Sequence, residues 1–371
     1  KCIVCSVQAG HSRFEVVTRA GLIPRVDREE EMALLGRCWE RTKEGQGQVV
    51  LLSGEPGIGK SRLVQEIKEQ VVREGCIQAE FRASPYHENT AYYPIIVHLQ
   101  RLLDLQTSDL PHQKLDKLER KLSEYGFALP EALPPFSALL SLPEPAGYPS
   151  LVNSPQRLRQ KMLDLLMVWL LKESERRPVL TVWEDLHWYD PSTLEAYHLL
   201  GDQVAKARIF VLATARPEYV SQWGTRPRYT QLTLGRLQHR QAELMASEVA
   251  GQSSLPADIM QQIVGKTDGV PLFVEELVKM VMESGILEER RGQYESSSPL
   301  PPLAIPSTLR DSLTARLDRL SAVKEVVQLA ATLGREFSYE LIRAVWPLDE
   351  VALQKGLAAM VEAELLYQSG V

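Results

Sequence analysis

The length, composition and charge of the chain already narrow its class. It has 371 residues, of which 44% are hydrophobic and 24% charged, and its net charge is −6. These proportions are typical of globular domains, and the length predicts two or three of them. The acidic balance argues against a protein that coats nucleic acid or an anionic membrane. No apolar run approaches the roughly 20 residues of a membrane-spanning helix, so no membrane partner is expected.

The N-terminus and the cysteines predict a piece of a cytoplasmic protein. The first residue is Lys1 rather than Met, and the residues after it lack the layout of a signal peptide, so we expect a fragment or a processed product. Four cysteines are too few for a disulfide framework. Cys2 and Cys5 form a CxxC pair without the second pair that a zinc site would need. A reducing setting is therefore the expectation.

Short apolar strands alternate with helices over the first part of the chain. The pattern predicts helices over Asp27–Glu44, Ser61–Glu74 and Ser192–Ala205. A mostly helical stretch over Ala91–Lys172 is broken by the Pro-rich residues 128–149. The predicted strands are Gln48–Ser53, Cys76–Arg82, Val179–Trp183, Ile209–Thr214 and Gln231–Leu234. This alternation predicts an α/β fold with a parallel, doubly wound sheet.

The later part of the chain changes to a purely helical pattern. Helices follow from Gln238 to a polar linker, and Ser307 then caps a further helix, after which three short helices follow. Five segments are predicted: a leader from an upstream domain (1–25), the α/β core (26–235), a helical lid domain (236–290), the linker (291–302) and a C-terminal helical module (303–371).

A glycine-rich turn follows the first predicted strand. GEPGIGKS, Gly54–Ser61, matches the pattern G-x-x-x-x-G-K-[ST] in full, with a strand before it and a helix after it. Glycines let backbone N–H groups wrap a phosphate, and the helix N-terminus adds positive potential. Lys60 can reach the β- and γ-phosphates, and the Ser61 hydroxyl can bind Mg²⁺. The alternative is an ordinary turn. The predicted nucleotide-binding residues are Gly54, Glu55, Pro56, Gly57, Ile58, Gly59, Lys60, Ser61 and Arg62.

Two adjacent acids end a later apolar strand, VLTVWED. If that strand neighbours the strand of the phosphate loop, Glu184 can hold Mg²⁺ and Asp185 can orient an attacking water as general base. A metal site that includes His187 as well is disfavoured, because successive residues of a strand point to opposite faces. A solvated turn is the remaining interpretation. It accounts for Asp190 as the cap of the next helix, which we predict, but not for two acids at the end of a buried strand.

The predicted strand within RIFVLATAR is followed by a basic residue, Arg216. An arginine there can touch the γ-phosphate and report its presence, although an arginine after an apolar strand is more often a surface residue. Trp183, Trp188 and Tyr189 are predicted to pack in the core and at its edge rather than to stack on a base.

Five segments in this order resemble one family. VDREEEMALL, GEPGIGKSRLV, VLTVWEDLHWYDPSTLE, VLATARPE and TDGVPLFVEELV are similar to segments of the STAND class, which comprises AAA+-related signalling ATPases with an origin-recognition-like core. The resemblance is nearest to ATPase modules that follow a class III adenylate/guanylate cyclase domain and precede tetratricopeptide-type repeats in bacterial regulators. It implies a P-loop NTPase fold, a helical lid and a winged-helix-like C-terminal module.

The resemblance also implies roles for matching positions. Lys60 and Ser61 would bind phosphate and Mg²⁺. Glu184 and Asp185 would act as the Walker B acids, and Arg216 as the sensor at the end of its strand.

Two further motifs concern the nucleotide base. In Gly269-Val270-Pro271 the proline would pack on the nucleotide, although a helix restart at proline is the alternative. Val26 and Arg28 would lie beside the base. Where the family has Val-Gly-Arg-Glu, this chain has Asp27, which lacks the freedom of glycine at positive φ and adds a charge.

Together these features predict an ATP-binding, slowly hydrolysing signalling switch with ATP and Mg²⁺ as its ligands. Expected partners are ATP or ADP, proteins that dock through flanking domains, and further copies in a nucleotide-dependent oligomer. The last predicted helix, Asp349–Leu366, carries four acids and one lysine, which disfavours DNA binding. The alternatives are a nucleotide-sensing, DNA-binding transcription regulator, or part of a nucleotidyl cyclase whose catalytic domain is absent from this chain.

Overall fold

The computed structural model divides into two compact units. One contains residues 28–56 and 60–234, and the other groups residues 57–59 with the described parts of 1–27 and 235–371. The predicted domain boundaries stay predictions. The described residues are 25–83, 87–106, 108–148, 155–223, 226, 228–251, 255–283, 287–290, 293–296, 324–334, 337–347, 349–362 and 366.

A five-stranded sheet forms the centre of the first unit. Its strands are β1 (Gln48–Ser53), β2 (Ile77–Arg82), β3 (Val179–Glu184), β4 (Ile209–Ala215) and β5 (Tyr229–Thr233). They lie in the order β2-β3-β4-β1-β5, and every pairing is parallel. All residues of β1, β3 and β4 are buried, as expected for inner strands covered on both faces. The predicted α/β fold is confirmed.

The strand order corrects one expectation. The acid-bearing strand β3 is not the neighbour of β1, because β4 lies between them and pairs with both. In this register Ser53 lies opposite Ala215, and Glu184 lies opposite Arg82 of β2. Strand order is set by the crossover helices and their packing, and successive strands in the sequence need not be neighbours in the sheet.

Seven helices belong to the described part of this unit. They are α1 (Glu29–Lys43), α2 (Lys60–Arg73), α3 (Tyr93–Leu102), α4 (Pro111–Glu124), α5 (Leu129–Leu139), α6 (Pro155–Arg176) and α7 (Pro191–Gln203). Two short 3₁₀ turns add Leu186–Trp188 and Val204–Lys206. On α2, the apolar residues Leu63, Val64, Ile67 and Val71 recur at helical spacing and are all buried.

Helix α5 runs through prolines that were expected to break the helical pattern. Pro134 and Pro135 lie inside the helix, and Pro130 occupies its first turn, where a missing N–H costs nothing. Leu133 and Phe136 are fully buried. Burial of this apolar segment offsets the backbone hydrogen bonds that the two inner prolines remove.

From residue 235 onward, the second unit has three helices that share an apolar core. These are α8 (His239–Val249), α9 (Ala257–Thr267) and α10 (Pro271–Glu283). A hairpin of β6 (Leu287–Arg290) and β7 (Gln293–Ser296) follows. The helical pattern and the linker predicted here did not include strands. The register pairs Arg290 with Gln293, which leaves two residues for the connection, a favoured hairpin length.

Three helices close the described chain: α11 (Lys324–Leu333), α12 (Tyr339–Val345) and α13 (Glu350–Glu362). They share a small core that includes Val326, Ile342 and Leu353, and the predicted winged-helix-like character of this module stays a prediction. The predictions for most of the leader, for Cys2 and Cys5, and for the helix capped by Ser307 fall outside the described residues. No helix in the described ranges is long and apolar enough to cross a membrane.

Candidate functional site

The glycine-rich turn, which is the predicted phosphate loop, lies at the carboxyl end of β1. Gly57 and Gly59 have φ values of 78° and 102°, which favour glycine over residues with a Cβ. Helix α2 starts at Lys60, whose amine donates hydrogen bonds to the carbonyl oxygens of Gly54 (2.6 Å) and Glu55 (3.0 Å). The lysine is 9% exposed. A buried cation therefore lies at a helix N-terminus, the arrangement that binds phosphate elsewhere.

Three of the predicted residues share one electrostatic environment. Burial lowers the pKa of the Lys60 amine, the negative charge of Asp185 opposes this shift, and the positive charge of Arg216 adds to it. Asp185 and Arg216 follow β3 and β4, so the sheet brings their charges to the same edge as the phosphate loop. Functional side chains are expected to gather at this edge, because the carboxyl ends of parallel strands lie together there.

The tip of the loop groups with the unit that contains the Gly-Val-Pro motif. Pro271 is the first residue of α10, and the N–H of Leu272 donates to the carbonyl oxygen of Gly57 at 3.1 Å. A Cβ added at Gly57 would lie 2.9 Å from the Cβ of Leu272. Gly269, with φ of 70°, accepts from the Leu237 N–H at 2.8 Å. The helix restart at Pro271 is thus observed, and its role toward a nucleotide stays a prediction.

Glu184 is paired with a residue that the sequence did not single out. Its Oε1 lies 3.3 Å from Nη2 of Arg82, the last residue of β2. Arg82 also lies 3.6 Å from Glu80, and Glu80 lies 2.5 Å from Lys68 of α2. A chain of alternating charges thus joins the helix after the phosphate loop to Glu184. Arg82 and Glu184 carry the same sequence signal, a charged side chain at the carboxyl end of a strand.

The buried position of Glu184 disfavours its charge. Burial raises the pKa of the Glu184 carboxyl, the nearby Arg82 guanidinium lowers it, and Asp185 raises it further. A carboxylate in this position needs a cation to stay ionised.

Asp185 lies in different surroundings from its neighbour. Its φ of 61° ends the strand abruptly, and its N–H donates to Oγ1 of Thr214 at 2.9 Å. The side chain is only half-buried. The described residues include no group of three or more His, Cys, Asp or Glu side chains that could hold a metal ion by themselves.

The helix cap predicted after this turn is confirmed. Asp190 accepts hydrogen bonds from the backbone N–H groups of Ser192 (2.9 Å) and Thr193 (3.0 Å) at the start of α7. Trp183 is buried, and its ring stacks on Phe81 at a centroid distance of 4.1 Å.

Arg216 directly follows β4. The residue before it, Ala215, accepts a hydrogen bond from the Gly54 N–H at 3.3 Å, so Arg216 follows a residue that contacts the start of the phosphate loop. Its guanidinium carbon lies 5.3 Å from the centroid of the Trp188 ring. Trp188, predicted only as a packing residue, therefore contacts a predicted site residue.

The remaining predicted residues lie just before α1, in the loop after β1 and at the start of α2. Asp27 and Arg28 have φ values of 64° and 80°, so Asp27 adopts the conformation that the family's glycine suits. Nη1 of Arg28 pairs with Glu31 at 3.0 Å. On α2, Ser61 is the second residue, and Arg62 pairs with Glu66 at 3.2 Å. Val26, Arg28 and Ser61 are half-buried, Pro56 is exposed, and Ile58 is buried.

The AAA ATPase domain model matches residues 25–212, which is half of the chain. The chain belongs to the AAA ATPase domain family. Its matched region contains the predicted phosphate loop, the two acids at the end of β3 and most of the sheet. The predicted resemblance to AAA-type ATPases is confirmed, and the module is a nucleotide-binding ATPase domain.

Several proteins are similar to this AAA ATPase module over most of its length. An uncharacterized protein of Rhizobium meliloti (strain 1021) is 28% identical over 345 residues, which is 92% of this chain and 32% of that protein. This chain therefore spans about a third of that relative. A STAND protein with a tetratricopeptide repeat sensor from Pyrococcus horikoshii aligns at TM-score 0.46 and 14% identity, over 94% of this chain and 40% of its own. The Aeropyrum pernix ORC1 protein, whose structure was solved in complex with DNA, aligns at TM-score 0.42 and 12% identity. The alignment covers 98% of this chain and 89% of that protein.

The residues present fit a magnesium–nucleotide complex. A Cβ added at Gly59 would meet nothing within 4 Å, so the loop leaves space beside its backbone. The buried Lys60 amine supplies positive charge, and Glu184 and Asp185 supply carboxylate oxygens, the ligand type that Mg²⁺ prefers. Mg²⁺ takes most of its remaining ligands from phosphate and water, which is consistent with the small number of protein ligands here.

Proposed function

We propose that this AAA ATPase module is an ATP-binding, slowly hydrolysing switch within a larger signalling protein. One observation carries this proposal: the Lys60 amine, held against Gly54 and Glu55, lies within the electrostatic reach of both Asp185 and Arg216. A cation, a carboxylate and a second cation at one phosphate loop are the groups that phosphoryl transfer to water requires.

Each group has a task in this proposal. The backbone N–H groups of residues 57–61 and the Lys60 amine bind the β- and γ-phosphates. Asp185 accepts a hydrogen bond from the attacking water, orients it in line with the bond to ADP and takes its proton as the new bond forms. As the water oxygen bonds to the γ-phosphorus, the bond to the ADP oxygen breaks, and Lys60 and Arg216 stabilise the charge on the phosphoryl oxygens. Ser61 and Glu184 would hold Mg²⁺, which offsets phosphate charge when bound.

Slow turnover follows from the reach of Asp185. Its side chain is one methylene shorter than a glutamate, so it approaches the attacking water less closely. A slow hydrolysis step suits a protein whose ATP-bound state must persist as a signal. Docking of proteins through flanking regions, nucleotide-dependent assembly and a cytoplasmic location belong to the same proposal.

Nucleotide binding by the Lys60→Ala variant tests the proposal. We expect its affinity for ATP to fall about 100-fold or more, because a buried charge-assisted contact to phosphate is lost. ATP affinity would be measured by calorimetry, and hydrolysis by phosphate release. A signalling switch also predicts that the mass in solution changes between the ADP and ATP states.

Lys172→Ala is the matched control. Its amine donates to the backbone oxygen of Tyr125 at 2.8 Å, in the helices before β3. This variant should bind ATP like the wild type. Unchanged ATP affinity in Lys60→Ala, or an equal loss in both variants, would refute the site. An unchanged mass in all nucleotide states would refute assembly but not binding.

A further inference from the structure

Trp188 and Arg216 meet at the edge of the sheet, although neither lies in a strand. The guanidinium carbon of Arg216 is 5.3 Å from the ring centroid of Trp188, within the distance at which a cation is attracted to an aromatic face. Both side chains are half-buried, which limits the screening of this attraction by water. The contact links the residues that follow β3 and β4.

Backbone hydrogen bonds fix the turn that carries the ring. The Trp188 N–H donates to the carbonyl oxygen of Asp185 at 2.8 Å, which closes the 3₁₀ turn. The Asp185 N–H in turn donates to Oγ1 of Thr214 at 2.9 Å, two residues before Arg216. The ring and the arginine are therefore attached to the same short stretch of structure, and their contact does not depend on a long, mobile connection.

The Arg216 guanidinium makes no ion pair or side-chain hydrogen bond with any residue that the structure describes. Attraction of the guanidinium charge to an aromatic ring needs no hydrogen-bond acceptor, so the N–H donors stay available. A carboxylate partner would occupy those donors and neutralise the charge. An aromatic ring orients the group while leaving both the donors and the charge for an anion.

The location of Arg216 indicates which anion. Ala215, immediately before it, accepts from the N–H of Gly54, the first residue of the phosphate loop. A guanidinium with unused donors beside that loop fits a phosphate group, since its fork matches phosphate oxygens.

We propose that Trp188 is a positioning residue, whose ring holds Arg216 so that its donors face the terminal phosphate of ATP. This inference rests on the proposed function, in which Arg216 contacts the γ-phosphate. ADP lacks that phosphate, so Trp188 would contribute to the preference for ATP over ADP. A tryptophan that only packs would not affect this preference.

Substitutions at both positions test the inference in the 371-residue chain. Affinities for ATP and ADP would be measured for Trp188→Leu, Trp188→Phe, Arg216→Ala and the double variant Arg216→Ala/Trp188→Leu. We expect Trp188→Leu to lower ATP affinity about 3- to 10-fold with ADP affinity unchanged. Trp188→Phe should retain most of the preference, since it keeps a ring. The double variant should match Arg216→Ala, because the ring then has nothing to hold.

A matched control and an isosteric change separate positioning from loss of structure. Trp346→Leu removes another half-buried tryptophan, in the second unit, and should leave both affinities unchanged. If Trp188→Leu does not fold, fluorinated tryptophans incorporated at position 188 keep the shape and weaken the negative ring face. ATP affinity should then fall stepwise with the number of fluorines.

The outcomes distinguish this inference from the proposed function. Equal losses for ATP and ADP in Trp188→Leu, additive losses in the double variant, or no response to fluorination would overturn the role of Trp188 alone. If Arg216→Ala binds and hydrolyses ATP like the wild type, the role of Arg216 in the proposed function fails, and the role of Trp188 fails with it.

Discussion

The carboxyl edge of the sheet and the helices α4–α6 belong to the same unit but differ in the partners of their buried polar side chains. At the edge, Lys60, Glu184 and Arg216 are at least half-buried charges. In the helices, the hydroxyl of Tyr125 donates to the buried carboxylate of Glu173, and the Tyr125 ring packs against Trp169. Burial, with the nearby Glu173 carboxylate, raises the pKa of Tyr125 to about 12, so it remains a neutral donor.

This difference predicts that α4–α6 contribute to stability and that the carboxyl edge of the sheet contributes to nucleotide binding. In α4–α6 the polar pair is closed on itself, and the rings of Phe127, Phe136 and Trp169 pack together. At the edge, Arg216 keeps donors that no described residue uses. We therefore expect changes in the helices to alter the free energy of unfolding, and changes at the edge to alter nucleotide binding.

The largest expected effect on stability is in the aromatic cluster. Phe136→Ala removes a fully buried ring, so the free energy of unfolding should fall by about 3–5 kcal/mol. Urea titration measures this change, and ATP affinity of the folded variant should match the wild type. A more than threefold loss of ATP affinity would mean that the two regions are coupled.

A smaller effect is expected where the edge itself contributes to stability. Arg82→Gln leaves the buried Glu184 without its cation, and we expect a loss of about 2 kcal/mol at pH 7. The pKa of Glu184 is already raised in the folded state, so its neutral form dominates below that pKa and the charge penalty grows as the pH rises through it.

The loss of stability caused by Arg82→Gln should therefore shrink as the pH falls through the pKa of Glu184, as unfolding curves over a series of pH values would show. Arg120→Gln, at an exposed position on α4, is the control and should cost nothing at any pH of the series. A loss that does not depend on pH would argue against a charged Glu184 as its cause.

The helix cap after the acids should contribute about 1 kcal/mol. Asp190→Ala removes the acceptor for two backbone N–H groups of α7, whereas Asp190→Asn keeps an acceptor and should cost less. Thermal unfolding of both variants measures the difference. Equal losses would show that charge, rather than the hydrogen bonds, matters at this cap.

The smallest expected effect is an increase, rather than a decrease, in the free energy of unfolding. Asp27 has a φ of 64°, which glycine adopts without steric cost, so Asp27→Gly should stabilise the fold by up to about 1 kcal/mol. Asp27→Ala should be neutral or destabilising, since it keeps a Cβ and loses the polar side chain. A stabilising alanine would refute backbone strain as the cause.

Local patterns in the sequence were enough to predict several features. The apolar strands, the phosphate loop from Gly54 to Ser61 and the cap by Asp190 each depend on residues close together in the chain. Periodicity, glycine freedom and capping chemistry act over a few residues, so they can be predicted without a fold. The family resemblance added predicted roles for Arg216 and Pro271, which local patterns alone left open and which stay predictions.

Only the tertiary structure decided which of these segments meet. It placed β4 between β1 and β3, paired Arg82 with Glu184 across 102 residues of sequence, and brought Trp188 to Arg216. It also kept α5 helical through Pro134 and Pro135. Each outcome depends on the burial and register of segments distant in the chain, where packing outweighs local propensity.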